Sequence, residues 1–192
     1  MAQVLRRNGC ISVPTDTVFG VCCRMDEAAM EKLYEVKQRP KSKHFPLMVS
    51  DRAMLDTIAE VNGTAAALIE AFMPGPLTLI LKRKDTLADY VSGGGDTIAV
   101  RFAVSQELKA LIEEVGTPIF LTSANRSGQR ECQSLDEIEQ ACPLLDGMME
   151  GTVTFAQAST IIDCTTPDCR ILREGPITAG QIQQVTGGKP DD

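Results

Sequence analysis

The apolar residues of this chain come in short β-branched runs, and each run stops after a few residues. "CISVP" (10–14), "VCCRM" (21–25), "FPLMVS" (45–50), "LTLILKR" (77–83), "TIAVRF" (97–102) and "TPIFLTSAN" (117–125) have the length and the Val, Ile and Thr content of strands. Helical spacing fills the gaps between them. Asp26 caps a helix running to about Val36, with Met30, Leu33 and Val36 on one face, and Asp51 caps the next. "TAAALIEAFM" (64–73) is an apolar helix that "PGP" (74–76) must end, because proline cannot continue it. Helices follow over 105–115 and 134–141, then late strands at "STIIDC" and "RILR", then a short helix at "TAGQIQQV". Strands mixed with helices predict an α/β (α+β) fold, one sheet flanked by helices. The expected organisation is one domain over 1–186 and a flexible tail, "GGKPDD", over 187–192.

A length of 192 residues suits one domain with its own core. With no Trp and 4% aromatic residues, that core must be aliphatic. No apolar run approaches the roughly 18 residues of a membrane span, and "MAQVLRRNGC" carries no apolar stretch of a secretory signal, so the expected location is the cytoplasm. The seven cysteines, Cys10, Cys22, Cys23, Cys132, Cys142, Cys164 and Cys169, form no C-x-x-C pair. That argues against a zinc site and a disulfide framework and for buried thiols in a reducing compartment. Cys22 and Cys23, being adjacent, should point to opposite faces of a strand. A net charge of -7 and a pI near 4.8 argue against an extensive nucleic-acid footprint.

Several strands end in hydroxyl, amide or guanidinium groups. "PTDT" (14–17) brings Thr15, Asp16 and Thr17, "LTSAN" (121–125) brings Thr122, Ser123 and Asn125, and "STIID" begins with Ser159 and Thr160. Arg101 and Arg173 end apolar strands, and "VKQRPKSKHF" (36–45) places Lys37, Arg39, Lys41 and Lys43 on alternate positions before the single histidine, His44. Ligands of open α/β sheets sit beyond strand ends, so these groups could meet in one pocket. The same residues also serve as turn formers, helix caps and solvated charges, and the four cations also suit an edge-strand guard. There is no G-x-x-x-x-G-K-[ST] loop and no G-x-S-x-G elbow. Chemistry at such a site would rest on positioned cations and hydrogen-bond donors, not on a covalent nucleophile.

Seven segments occur together in a fixed order: "PTDTVFG" (14–20), "KQRP" (37–40), "PGPLTLIL" (74–81), "TIAVRF" (97–102), "TSANRSG" (122–128), "STIID" (159–163) and "ILREGPI" (171–177). In them the chain, from about residue 8 to 186, resembles the YrdC-like family, and within it the short single-domain threonylcarbamoyl-adenylate synthases. The resemblance implies a twisted mixed sheet with a concave, positively charged cavity. It implies a reaction in which L-threonine, bicarbonate and ATP give threonylcarbamoyl-adenylate and pyrophosphate, for transfer by a second complex to adenosine 37 of tRNAs. By motif position, Lys37, Arg39, Thr97, Ser123, Asn125 and Arg173 match ATP-binding residues, with Lys37 and Arg39 as the catalytic phosphate clamp. Thr17, Arg101 and Ser159 match positions that hold L-threonine. The resemblance further implies Mg²⁺ carried by the ATP phosphates without a protein-only metal site, no organic cofactor, a threonylcarbamoyl-transfer complex as product acceptor, at most weak tRNA contact, and no membrane. Phe19 stands where Tyr is common, the 39–46 segment is longer than in many members, and Ser50 stands where many have a histidine. Two other readings stay open: a related carbamoyl-adenylating protein, and a non-catalytic RNA-binding or ribosome-assembly module.

Overall fold

In the computed structural model, residues 1–155 and 157–187 are described; the tail expected over 187–192 lies outside them from residue 188 on. The chain begins with helix α1 (Ala2–Arg6) and then forms β1 (Ile11–Val13), β2 (Gly20–Arg24), α2 (Glu27–Lys37), β3 (Leu47–Val49), α3 (Arg52–Ile58), α4 (Gly63–Phe72) and β4 (Leu77–Lys82). It continues through α5 (Asp89–Ser92), β5 (Thr97–Phe102), α6 (Gln106–Val115), β6 (Ile119–Ser123), α7 (Leu135–Ala141), β7 (Gly147–Met148), β8 (Thr160–Asp163), β9 (Arg170–Arg173) and α8 (Ala179–Thr186). The predicted caps hold, Asp26 accepting from Ala28 and Ala29 N–H and Asp51 from Met54, and Ser105 likewise accepts from Leu108 N–H. Three short elements escaped the sequence pattern: α1, α5 and β7. The two helices have no side-chain cap, and β7 is two residues long, so tertiary contact rather than local signal forms them.

Among the described residues the strands form one mixed nine-stranded sheet in the order β7-β1-β2-β6-β3-β5-β4-β8-β9. Most neighbours are antiparallel, while β1–β7, β3–β5 and β4–β8 are parallel. Strand alternation sends successive side chains to opposite faces, and the two faces are covered unequally. One face packs Leu77, Leu79 and Leu81 of β4, Val100 of β5 and Phe120 of β6 against Leu33 of α2, Leu68 of α4, Ile138 of α7 and Ile182 of α8. The other carries a smaller cluster at one end, where Ile11, Val13 and Ile119 meet Leu5 of α1 and Leu108, Leu111 and Ile112 of α6. Cys23 belongs to the first cluster and Cys22 to the second, as their adjacency predicts, and all seven thiols are buried and free. Among the described residues α1 and α6 cover one end of the second face; elsewhere its side chains, Thr78 and Ile80, Ala99 and Arg101, Leu121 and Ser123, line a cavity of about 480 Å³ with Val91 and Ser92 of α5.

The core should carry the stability of this sheet, and its edge should not. Leu79→Ala, at a site 1% exposed in a central strand, should cost about 2–5 kcal/mol in urea unfolding. Leu172→Ala, 48% exposed on edge strand β9, should change stability by less than about 0.5 kcal/mol.

Candidate active site

Arg101 is buried among the strand residues of the open face. Its Nε donates to Gly75 O at 3.1 Å, its Nη1 to Thr17 Oγ1 at 2.8 Å, and its Nη2 bonds Asp16 Oδ1 in an ion pair. Each acceptor is built by a local motif. The "PTDT" turn is closed by Thr15, whose hydroxyl donates to Val18 O at 2.6 Å and accepts from Thr17 and Val18 N–H, both at 3.2 Å. Gly75 must be glycine, because a Cβ there would lie 2.4 Å from Phe72 O. Burial lowers the Arg101 pKa, Asp16 opposes that shift, and the like charge of Arg173 adds to it. A guanidinium stays charged through such a shift, so the site holds a largely dehydrated cation. Three of its five N–H groups have partners among the described residues, which leaves two for an anion in the cavity.

Ser159 lies beside it at the start of β8. Thr78 Oγ1 is 2.8 Å from Ser159 Oγ, and Arg173 of β9 donates to Ser159 O from Nε at 3.0 Å and Nη2 at 2.8 Å, with a longer contact from Nη2 to Ser159 Oγ at 3.3 Å. The next residue anchors the chain behind them. Thr160 Oγ1 donates to Ile177 O at 2.8 Å and accepts from Gly175 N–H at 2.9 Å and Ile177 N–H at 3.1 Å. Gly175 allows this approach, since a Cβ would lie 2.4 Å from Ala158 O. Burial also lowers the Arg173 pKa, and Glu131 opposes that shift.

The "KQRP" and "TSAN" segments meet at the other end. Lys37 closes α2 at 1% exposure, and its ammonium donates to Ser123 O and Asn125 Oδ1, while its own carbonyl accepts from Ser127 N–H at 2.9 Å. Ser123 Oγ also donates to Asn125 Oδ1 at 2.9 Å, and Asn125 Nδ2 donates to Gln129 O at 2.5 Å. Burial pushes the Lys37 pKa down to about 8. Arg39 follows the left-handed residue Gln38 and folds its own loop around itself. Its Nε donates to Lys43 O and its Nη2 to His44 O, both at 2.9 Å, with the guanidinium 5.0 Å above the Phe45 ring.

Seven of the nine residues singled out in the sequence line the cavity: Thr17, Arg39, Thr97, Arg101, Ser123, Ser159 and Arg173. Lys37 and Asn125 do not; they lie behind Ser123, where Lys37 ties the "TSAN" turn to the end of α2. Of the cations with alternative readings, Lys41 pairs outward with Glu31, whereas His44 reaches the cavity wall. Ser50 is buried away from it, its hydroxyl 3.8 Å from Met54 Sδ. Sequence reasoning missed Thr78 and Glu131. Thr78 could have been found by parity, since it alternates with Leu77 and Leu79, which face the core. Glu131 gave no signal in a polar turn.

The chain is similar to known proteins in sequence and in fold. The family model covering Sua5, YciO and YrdC, described as "Telomere recombination", matches residues 3–175. Threonylcarbamoyl-AMP synthase of Bacillus subtilis is 35% identical over 97% of this chain and 55% of its own length. The enzyme of that name from Serratia proteamaculans is 32% identical over 83% of this chain and 89% of its own. A structure of Pyrococcus abyssi Sua5 complexed with L-threonine superposes with a TM-score of 0.90 at 30% identity, covering 97% of this chain and 56% of that one. Escherichia coli YciO gives 0.84 at 27% identity, covering 94% and 90%. The chain thus spans about half the length of the B. subtilis and P. abyssi relatives and most of the S. proteamaculans one. By its seven ordered motifs, its sheet and these matches, the chain belongs to the Sua5–YciO–YrdC family.

Proposed function

We propose that this chain is a threonylcarbamoyl-AMP synthase, joining L-threonine, bicarbonate and ATP into threonylcarbamoyl-adenylate with release of pyrophosphate. The observation that carries the reading is the meeting of Arg39, Arg101 and Arg173 with strand-end hydroxyls on one cavity wall. Relatives named for that activity support it, as does the L-threonine complex of the P. abyssi protein.

The amino acid binds at the buried end. Its carboxylate takes the two remaining N–H groups of Arg101, and Thr17 and Ser159 hydrogen-bond the rest of the molecule. Bonding to the side-chain hydroxyl would reject valine more strongly than shape alone, because valine leaves the site's polar groups unpaired. ATP lies toward Arg39, Thr97, Ser123 and Arg173, with Lys37 charging the floor from behind and holding Ser123 and Asn125 in place. The threonine amine and bicarbonate condense to a carbamate with loss of water. One carbamate oxygen then attacks the α-phosphorus, a P–O bond forms, the bond from that phosphorus to the bridging oxygen breaks, and pyrophosphate leaves with the electron pair. The carbamate is itself the nucleophile, so the chain's residues orient two reactants and offset phosphate charge.

Among the described residues no group of three His, Cys, Asp or Glu side chains gathers to hold a metal. Mg²⁺ would enter this site as an ion carried by the nucleotide and would offset phosphate charge there. We place the protein in the cytoplasm, where its seven free thiols would stay reduced, handing its product to a threonylcarbamoyl-transfer complex that modifies tRNA. No helix of the described residues is long and apolar enough to cross a membrane.

Pyrophosphate release from ATP should require both L-threonine and bicarbonate, and Arg39→Ala should lower kcat/KM for ATP by about 10- to 100-fold. Release that ignores threonine would sink the carbamate reading. Arg101→Lys, which keeps the charge but loses the fork, should raise the KM for threonine about tenfold or more while leaving ATP affinity unchanged. Lys37 should make nucleotide binding pH-dependent. Its pKa in the free protein is about 8, and a bound polyphosphate favours the ammonium and raises that value, so binding should take up protons above about pH 8 and none below about pH 7. Calorimetry in buffers of different ionisation enthalpy checks this, and Lys37→Met should abolish the uptake.

A further inference from the structure

Among the described residues Glu131 brings the one carboxylate lining a cavity that also holds Arg39, Arg101 and Arg173. Its backbone is fixed on both sides. Asn125 Nδ2 holds Gln129 O at 2.5 Å, and Cys132 N–H donates to Ala124 O at 2.8 Å, so the segment between them is closed against the "TSAN" turn. The cation beside it in sequence is already taken, since Arg130 donates to Glu137 from Nη2 at 2.9 Å and Nη1 at 3.2 Å. Within the described residues the Glu131 carboxylate has no ion pair and no hydrogen bond; only its backbone carbonyl is used. It nonetheless acts on the cations of the site, where its charge opposes the burial-driven lowering of the Lys37 and Arg173 pKa values.

An unpartnered carboxylate in an anion-binding cavity is paradoxical on electrostatics alone. It competes with phosphate for the same cations and repels the phosphate itself. A divalent ion between the two anions removes the conflict. Mg²⁺ is bound in this way, through one or two carboxylates together with substrate phosphates and waters. The Asp16 carboxylate, which also lies close to the site, is occupied by Arg101. Resting on the ATP reading above, we propose that Glu131 is the protein's anchor for the nucleotide-borne Mg²⁺, bound directly or through a metal-bound water, and so selects the metal-loaded form of ATP.

The test is ATP affinity measured by calorimetry on the full chain, in Mg²⁺ and in EDTA, for the wild type and Glu131→Gln. The wild type should gain roughly tenfold or more in affinity from Mg²⁺. Glu131→Gln should lose most of that gain and, in EDTA, bind ATP at least as tightly as the wild type, because a charge facing the phosphates is gone. Mn²⁺ in place of Mg²⁺ gives a second readout. The electron paramagnetic resonance of the Mn²⁺–ATP complex should change on binding to the wild type and report a different coordination in the variant. An unchanged Mg²⁺ gain in Glu131→Gln overturns the proposal, because phosphates alone would then hold the ion. An equal loss with and without Mg²⁺ overturns it too, pointing to a hydrogen bond from the nucleotide. ATP that fails to bind the wild type in either buffer overturns the ATP reading itself, a result separable from both.

Discussion

Unequal covering of the sheet is the constraint on which the site depends. In a strand, every residue that faces the core has neighbours that face away, and a sheet of this size must either bury the second face or find another use for it. Here α2, α4, α7 and α8 cover one face, while α1 and α6 cover only an end of the other. The remaining side chains of that face are therefore free of the rule that interiors be apolar. Thr78, Arg101 and Ser123 occupy positions whose immediate neighbours, Leu77, Leu79, Val100 and Ala124 among them, pack the opposite core. The same strands supply the stability and the chemistry, separated only by parity.

Arg101 shows how such a position is sustained. A buried cation needs compensation, and its partners come from two distant parts of the chain: the "PTDT" turn and the glycine of "PGP". Asp16 neutralises the guanidinium only in part, and two N–H groups remain. The outcome is a cation desolvated before any ligand arrives, so a carboxylate that binds there recovers solvation already lost. Arg173 works in a looser setting at the open edge, where much of its fork is spent on Ser159. The two arginines repel each other, and an anion between them would relieve that repulsion.

Much of this was legible from the residues. Strand runs rich in Val, Ile and Leu, and helices with Asp or Ser at their N-caps, appear close to where they were expected because local and tertiary preferences agree there. The elements missed were short and uncapped, and nothing in five or fewer residues announces a contact made elsewhere in the chain. Within the site, motif position marked Lys37 as readily as Arg39, but motif order carries no depth. The ammonium of Lys37 is turned onto Ser123 O and Asn125 Oδ1, behind the wall that Arg39 helps to form. A loop carboxylate such as Glu131 carries no periodic or capping signal, and only the folded arrangement sets it among arginines.

The two ends of the cavity differ in how firmly their cations are held, and this bears on how the site handles its ligands. At the inner end Arg101 is fixed by three acceptors on two segments, Gly75 and the turn holding Asp16 and Thr17, so the pocket for an anion is preformed. At the outer end Arg39 is bound to carbonyls of its own loop, at Lys43 and His44, and stacks on Phe45, which packs on Tyr34 at 4.5 Å between ring centroids. Its hydrogen-bond acceptors and the ring it stacks on all lie within residues 43–45. The same segment carries His44, whose ring lies against Gly93. The glycine leaves room for that ring, since a Cβ there would lie 2.0 Å from His44 Cε1. At one end the cation is held by distant segments of the chain, and at the other by carbonyls of its own loop.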